Sequence, residues 1–251
     1  MKKLFLTYLL SFFVYQIAMG QTQIIAHRGF WKTEGSAENS IAALIKADSI
    51  GCYGSEFDVW LTKDEELIVN HDPTIYGRFI QQTSVRKLTR AKLNNRERIP
   101  TLEQYLLTGK ELKTRLILEL KSLNSPERET LAVEKILNMV KSMGLENRME
   151  YISFSLHATK EFIRLAPKGT PVFYLNGDLS PKELKEIGCA GPDYHLSVFK
   201  KNPQWLTECQ KLGLKTNVWT VNKANDMTWF INHKVDFITT NEPLVLQEVL
   251  K

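Results

Sequence analysis

Cysteine is scarce in this chain. Three thiols, Cys52, Cys189 and Cys209, are scattered through 251 residues. An odd and sparse set excludes a disulfide framework, and the spacing fits no zinc site. The three read as small core side chains, with a Cys189–Cys209 bridge open only in an oxidising compartment. Low-complexity stretches are absent, and so is any repeat at a fixed period, which excludes solenoids and propellers. No dense basic stripe interleaved with aromatics occurs, so nucleic acid is not an expected partner. Long apolar runs are lacking as well, apart from one at the start.

That run belongs to a leader. Lys2 and Lys3 precede an apolar stretch over 4–17, and Ala18 and Gly20 set small residues just before Gln21. This is the pattern of a secretory signal peptide at 1–20, cut after Gly20, for a protein that is periplasmic or extracellular. An uncleaved anchor is the alternative, but the run falls short of the ~20 residues needed to span a bilayer. No later segment is apolar enough, so stable membrane insertion is not expected. The net charge is +5, and the two leader lysines leave it near +3. A pI of about 9.0 suits an anionic substrate.

Residues 21–251 read as a single catalytic domain. Short apolar runs predict strands at 24–26, 55–58, 115–120, 151–154, 172–175, 194–196, 216–219 and 236–239. Helical patterns predict helices at 40–50, 102–110, 127–143, 157–165, 181–187, 203–212, 224–232 and 244–250. Strands alternating with helices argue for a parallel sheet. Eight such units in about 230 residues fit a closed (β/α)8 TIM barrel better than an open doubly wound sheet. Asn39 is read as the cap of the first helix and Thr101 as that of the second. A further short strand at 67–70 is expected to pair with an extension of the second strand. The polar, weakly periodic stretch 73–98 reads as an insertion over the barrel mouth. Its basic residues are either a solvated face or a lid that attracts an anionic headgroup.

In such a barrel the chemistry lies at the C-terminal strand ends. Strand 1 ends in His27-Arg28-Gly29, strand 2 carries Glu56 and Asp58, the added strand leads to His71-Asp72, and strand 3 carries Glu119 and Lys121. Glu56 and Asp58 are two apart, so they share a face. Three carboxylates converging on one point repel one another unless a cation neutralises them. An all-oxygen donor set favours calcium or magnesium over zinc. Lys121 could instead be a plain counter-charge to Glu119. His27 and His71 can supply an acid and a base near neutral pH. Arg28 can clamp a phosphate, and Gly29 is read as letting the backbone come close to a ligand. His157 and His233 read as surface residues, while His195 could line the site.

The segments Ile25-Ala26-His27-Arg28-Gly29 and Glu38-Asn39-Ser40 resemble the opening signature of the glycerophosphodiester phosphodiesterases. So do Glu56-Phe57-Asp58-Val59, Leu61-Thr62-Lys63-Asp64, His71-Asp72-Pro73, Leu118-Glu119-Leu120-Lys121, Val218-Trp219-Thr220-Val221-Asn222 and the segment from Asp236 to Pro243. The resemblance covers nearly all of 21–251. It implies a hydrolase of glycerophosphodiesters that releases glycerol 3-phosphate and an alcohol. It implies one divalent cation, Ca2+ or Mg2+, held by Glu56, Asp58 and Glu119. His27 and His71 would be the acid–base pair, Arg28 and Lys121 would face the phosphate, and Trp219 would wall the substrate pocket. A hydroxyl of the glycerol can attack first, giving a cyclic phosphate that water then opens.

Three positions depart from the family pattern: Asn241 for Asp, Phe237 for Gly, and Glu65 for Gly. None is a metal or histidine position. The alternatives are a lysophospholipid phosphodiesterase or cyclising lyase on the same fold, a non-catalytic binding protein, and a glycosidase barrel built on a carboxylate pair. The glycosidase has no use for the histidines or Arg28.

Overall fold

The computed structural model describes residues 21–251; the signal peptide read at 1–20 lies outside the described residues. The chain opens with β1 (Gln23–Ala26), α1 (Ile41–Ser49), β2 (Gly54–Leu61) and β3 (Leu67–Val69). A small excursion follows, with β4 (Thr74–Ile75), β5 (Arg78–Phe79) and α2 (Val85–Leu88). The alternation then resumes through α3 (Leu102–Lys110), β6 (Arg115–Leu120), α4 (Pro126–Met143), β7 (Met149–Ser153), α5 (Leu156–Leu165), β8 (Val172–Tyr174) and α6 (Pro181–Glu186). It ends with β9 (Gly191–His195), α7 (Leu196–Lys201), α8 (Gln204–Leu212), β10 (Asn217–Trp219), α9 (Ala224–Asn232), β11 (Phe237–Thr240) and α10 (Pro243–Val249).

Eight of these strands are parallel, and β1 pairs with both β2 and β11, which closes the sheet into the expected TIM barrel. The period-2 alternation of a strand sorts each side chain to one of two faces. Leu116, Leu118 and Leu120 of β6 face outward and bury against α3 and α4 with Phe57 and Val59 of β2. Their neighbours Ile117 and Glu119 face the barrel interior. The interior is apolar where Ile25, Ile117, Ile152, Phe173 and Phe237 meet. Gly54 leaves room there, because a Cβ would stand 2.5 Å from the Ile117 side chain. Above this layer the inward positions turn polar.

The strands and helices fall within a few residues of their sequence assignments, and β3 pairs with β2 as expected, in the antiparallel sense. One local reading is corrected and two gain detail. Ser40, not Asn39, caps α1: its hydroxyl accepts from the Ala43 amide at 3.0 Å. Gly29 has a packing reason of its own, since at φ +75 a Cβ would lie 2.7 Å from Ala43 of α1. The 73–98 segment has a small core of its own. Ile75, Ile80, Leu88 and Ile99 bury with Trp60 and Ile68 into a satellite core, and Trp60 Nε1 donates to the His71 carbonyl at 3.2 Å. Helix α7 was not anticipated. Cys52, Cys189 and Cys209 are separate buried thiols, not a bridge, and burial pushes each up to about 12.

Candidate active site

Glu56, Asp58 and Glu119 reach one point at the C-terminal end of the barrel. Register brings them together: Asp58 of β2 lies beside Glu119 of β6, and Glu56 stands two residues before Asp58. One carboxylate oxygen from each lies within 4.8 Å of the others, and all three residues are buried. Two unit charges at that distance repel by about 3–4 kcal/mol at an effective dielectric near 20. Three such pairs rival the whole stability of a domain. The site therefore needs positive charge, and the chain supplies some of it. Lys121 Nζ stands 2.6 Å from Glu119 and 3.1 Å from Asp58. Arg28 Nε lies 3.6 Å from Asp58, and the Arg28 amide donates to Glu56 at 2.8 Å.

These cations do not divide evenly. Burial alone would raise Asp58, but Lys121, His71, the Asn39 amide and Arg28 outweigh it and hold the carboxyl below its ordinary value. Glu56 is pushed well above its usual range by burial and then by the charges of Asp58 and Glu119. Glu119 rises to about 7 from burial and Asp58, against the pull of Lys121. Glu56 Oε1 is buried without a hydrogen-bond partner, and Glu119 Oε1 meets only Lys121. Among the described residues Lys121 is the one cation in close contact with Glu119, at 2.6 Å. Unsatisfied carboxylate oxygens that converge are the donor set of a hard divalent cation.

Both histidines line the same cavity, about 170 Å³, with Arg28, Glu56, Glu119 and Lys121. His27 Nδ1 is 2.7 Å from Asn241 Oδ1. Trp31 Nε1 donates to that same oxygen at 3.3 Å, which marks it as the carbonyl side of the amide. His27 Nδ1 therefore carries its proton, and Nε2 is left as the basic nitrogen. Burial, then the Arg28 charge, lower His27 to about 4. His71 is half-exposed, and its Nδ1 lies 2.8 Å from the Asp72 carboxylate. The far wall of the cavity is Ile152, Phe154, Leu175 and Trp219. Phe154 meets Trp219 edge-on at 5.5 Å, and the indole N–H is anchored on the Asp193 carbonyl.

The eight residues singled out in the sequence thus converge, seven lining the cavity and Asp58 just beneath it. His195 is exposed and packs edge-on against Trp219 at 5.1 Å. His157 and His233 are half-buried instead of freely exposed, bonded to Thr130 and to the Trp229 carbonyl. Sequence reasoning missed four partners. Asn39, at φ 61, donates from its side-chain amide to the Asp58 carboxylate and accepts from the Asp58 backbone N–H, holding that residue by side chain and main chain. Glu38 holds Arg28 at 2.6 Å. Asn241 was noted only as a departure. Asp193 is buried on the cavity floor, and desolvation raises it well above the usual carboxylate range. An inward-facing Asp on a short strand next to Gly191-Pro192 was its one signal.

A larger cavity, about 510 Å³, opens at the opposite end of the barrel and is partly filled by Phe237. Two of its three charged lining residues are matched: Tyr53 and Arg115 hold Glu150, and Lys215 pairs with Asp236. It gathers none of the reactive groups described above.

Residues 27–245 match the model of the Glycerophosphoryl diester phosphodiesterase family. A glycerophosphodiester phosphodiesterase from Parabacteroides distasonis, known as a crystal structure, is 52% identical with a TM-score of 0.90, covering 92% of this chain and 97% of that one. A glycerophosphodiester phosphodiesterase of Caldanaerobacter subterraneus subsp. tengcongensis is 28% identical over 252 residues, 92% of this chain and 98% of that protein. An Oleispira antarctica phosphodiesterase, in complex with the product sn-glycerol-3-phosphate, shares the fold at a TM-score of 0.80 and 23% identity, covering 92% and 97%.

Proposed function

The chain belongs to the glycerophosphoryl diester phosphodiesterase family, and on that premise we propose that it hydrolyses glycerophosphodiesters to glycerol 3-phosphate and an alcohol, with one hard divalent cation on Glu56, Asp58 and Glu119. The observation that carries this is the buried three-carboxylate cluster, flanked by two fixed cations and two histidines in one cavity. Bound there, calcium or magnesium would neutralise charge building on the phosphoryl oxygens. The cavity of about 170 Å³ is of a size for a polyol phosphate, which favours soluble diesters over lysolipids.

Arg28 and Lys121 offer their remaining donors to the phosphate and orient it. His27, neutral at Nε2, is the base that takes the proton from the attacking hydroxyl. His71 then protonates the departing alcohol from the open side, its ring set by Asp72. When the glycerol hydroxyl attacks, the product is a cyclic phosphate, and water opens it with the two histidines exchanging roles. Asn39 and Glu38 act through Asp58 and Arg28, keeping each in place. The leader pattern read at 1–20 supports a reaction outside the cytoplasm.

The decisive assay is turnover of glycerophosphocholine and glycerophosphoethanolamine with calcium or magnesium, and then with a chelator. Cation-dependent release of glycerol 3-phosphate is expected, with His27→Ala lowering kcat by about 10²–10⁴ and Glu56→Ala abolishing it. Turnover that survives chelation would overturn the cation's role.

A further inference from the structure

The insertion over the barrel mouth has a composition that its fold does not explain. Segment 73–98 carries seven arginines and lysines against one acid, Glu97. Those seven are all exposed. Among the described residues none of them enters an ion pair. Glu97 is turned away from them, with its carboxylate accepting the Ile41 and Ala42 amides at the start of α1. The rest of residues 21–251 is net −3, so the positive charge of the folded chain is concentrated in this one segment.

The same segment holds two exposed aromatic rings. Tyr76 is 72% exposed and Phe79 56% exposed, and no other large aromatic among the described residues is. Both ride on the β4–β5 hairpin, whose turn places Tyr76 and Gly77 at φ 47 and 75. The Tyr76 hydroxyl donates to the Lys92 carbonyl at 2.6 Å, and Lys92 bridges to Arg98, so the rings are held beside the cations. Tyr76 and Lys92 also line a groove that runs to His71. Two rings on one rigid tip next to unpaired cations match a bilayer surface, where aromatics sit among headgroups and basic side chains lie over lipid phosphates. A nucleic-acid strand would call for a row of stacking rings along a groove.

We propose that the 73–98 insertion docks the protein peripherally on anionic lipid membranes, Tyr76 and Phe79 entering the headgroup layer and the exposed cations resting on it, so that the barrel mouth lies against the surface. This does not depend on the catalytic reading, because binding is measured without turnover.

The test is cosedimentation of residues 21–251, which contain every barrel element, with vesicles of phosphatidylcholine alone or with about 30% phosphatidylglycerol. Binding is expected only to the anionic vesicles, and is expected to weaken as salt rises from about 0.1 to 0.5 M. The triple reversal Arg86→Glu, Lys87→Glu, Arg90→Glu should lower the partition coefficient at least ~10-fold. The pair Tyr76→Ala, Phe79→Ala should lower it about 3-fold or more while the salt dependence remains. Circular dichroism verifies that each variant is folded. Equal binding to neutral vesicles, an unchanged triple reversal, or capture of a DNA duplex with no vesicle binding would each overturn the proposal.

Discussion

At the residue scale, the proton on His27 is set by a neutral amide. Asn241 accepts from Nδ1, and burial with the nearby Arg28 keeps the ring uncharged down to about pH 4. The folded value lies below the ordinary 6.5, so the unfolded chain binds more protons between the two. Stability from this group is therefore full above pH 6.5 and is lost as pH falls toward 4. Asn241→Asp puts a charge on the same nitrogen and should raise the imidazole by about 1–2 units. The acidic limb of the kcat/KM profile is expected to move up with it; a limb that does not move would place the base elsewhere. At Asn39, substitution by Ala removes both hydrogen bonds to Asp58. It should cost about 1–3 kcal/mol in urea unfolding and weaken cation binding measured by calorimetry.

At the scale of elements, the β1–α1 connection carries the geometry. Arg28 and Gly29 both have positive φ, and the Phe30 amide binds the Ala43 carbonyl, which pins the loop to the helix. Gly29→Ala meets Ala43 at 2.7 Å and also strains the backbone. A loss of about 2–4 kcal/mol is expected, read as a lower melting temperature, with kcat falling because His27 and Arg28 shift together. The element pattern itself was readable from the sequence, because the outward strand faces are apolar and every helix but α7 and α9 begins at a Ser, Thr or Pro. Helix α7 was hidden: Leu196 to Lys201 follows β9 directly, with no turn residue between them. The insertion's satellite core was hidden too, because Ile75, Ile80, Leu88 and Ile99 pack on Trp60 and Ile68 from another part of the chain and show no local period.

At the scale of the whole molecule, the carboxylate cluster links cation binding to folding. The unfolded chain keeps its acids far apart, so a bound ion favours the folded state. At a concentration 100 times its Kd it adds about 2.7 kcal/mol, or about 5–10 °C in a barrel of this size. Calcium or magnesium should thus raise the melting temperature of the wild type. Glu56→Gln should remove that rise, and should leave the cation-free protein as stable as the wild type or more so, since it deletes a repulsive charge. A cation-induced rise that persists in Glu56→Gln would exclude Glu56 as a ligand.

The sequence by itself determined the barrel, the strand carrying each reactive side chain, and which three acids and two histidines would meet at one end of it. Those follow from period-2 alternation and from motif spacing, which are local. Only the tertiary structure decided what each group touches. It made Asn39 a clamp on Asp58 instead of a helix cap, made Gly29 a packing contact, buried Asp193 beneath the site, and gathered unpaired cations beside two exposed rings. These outcomes depend on distances between residues far apart in sequence, such as His27 and Asn241, which only closure of the barrel brings within 2.7 Å.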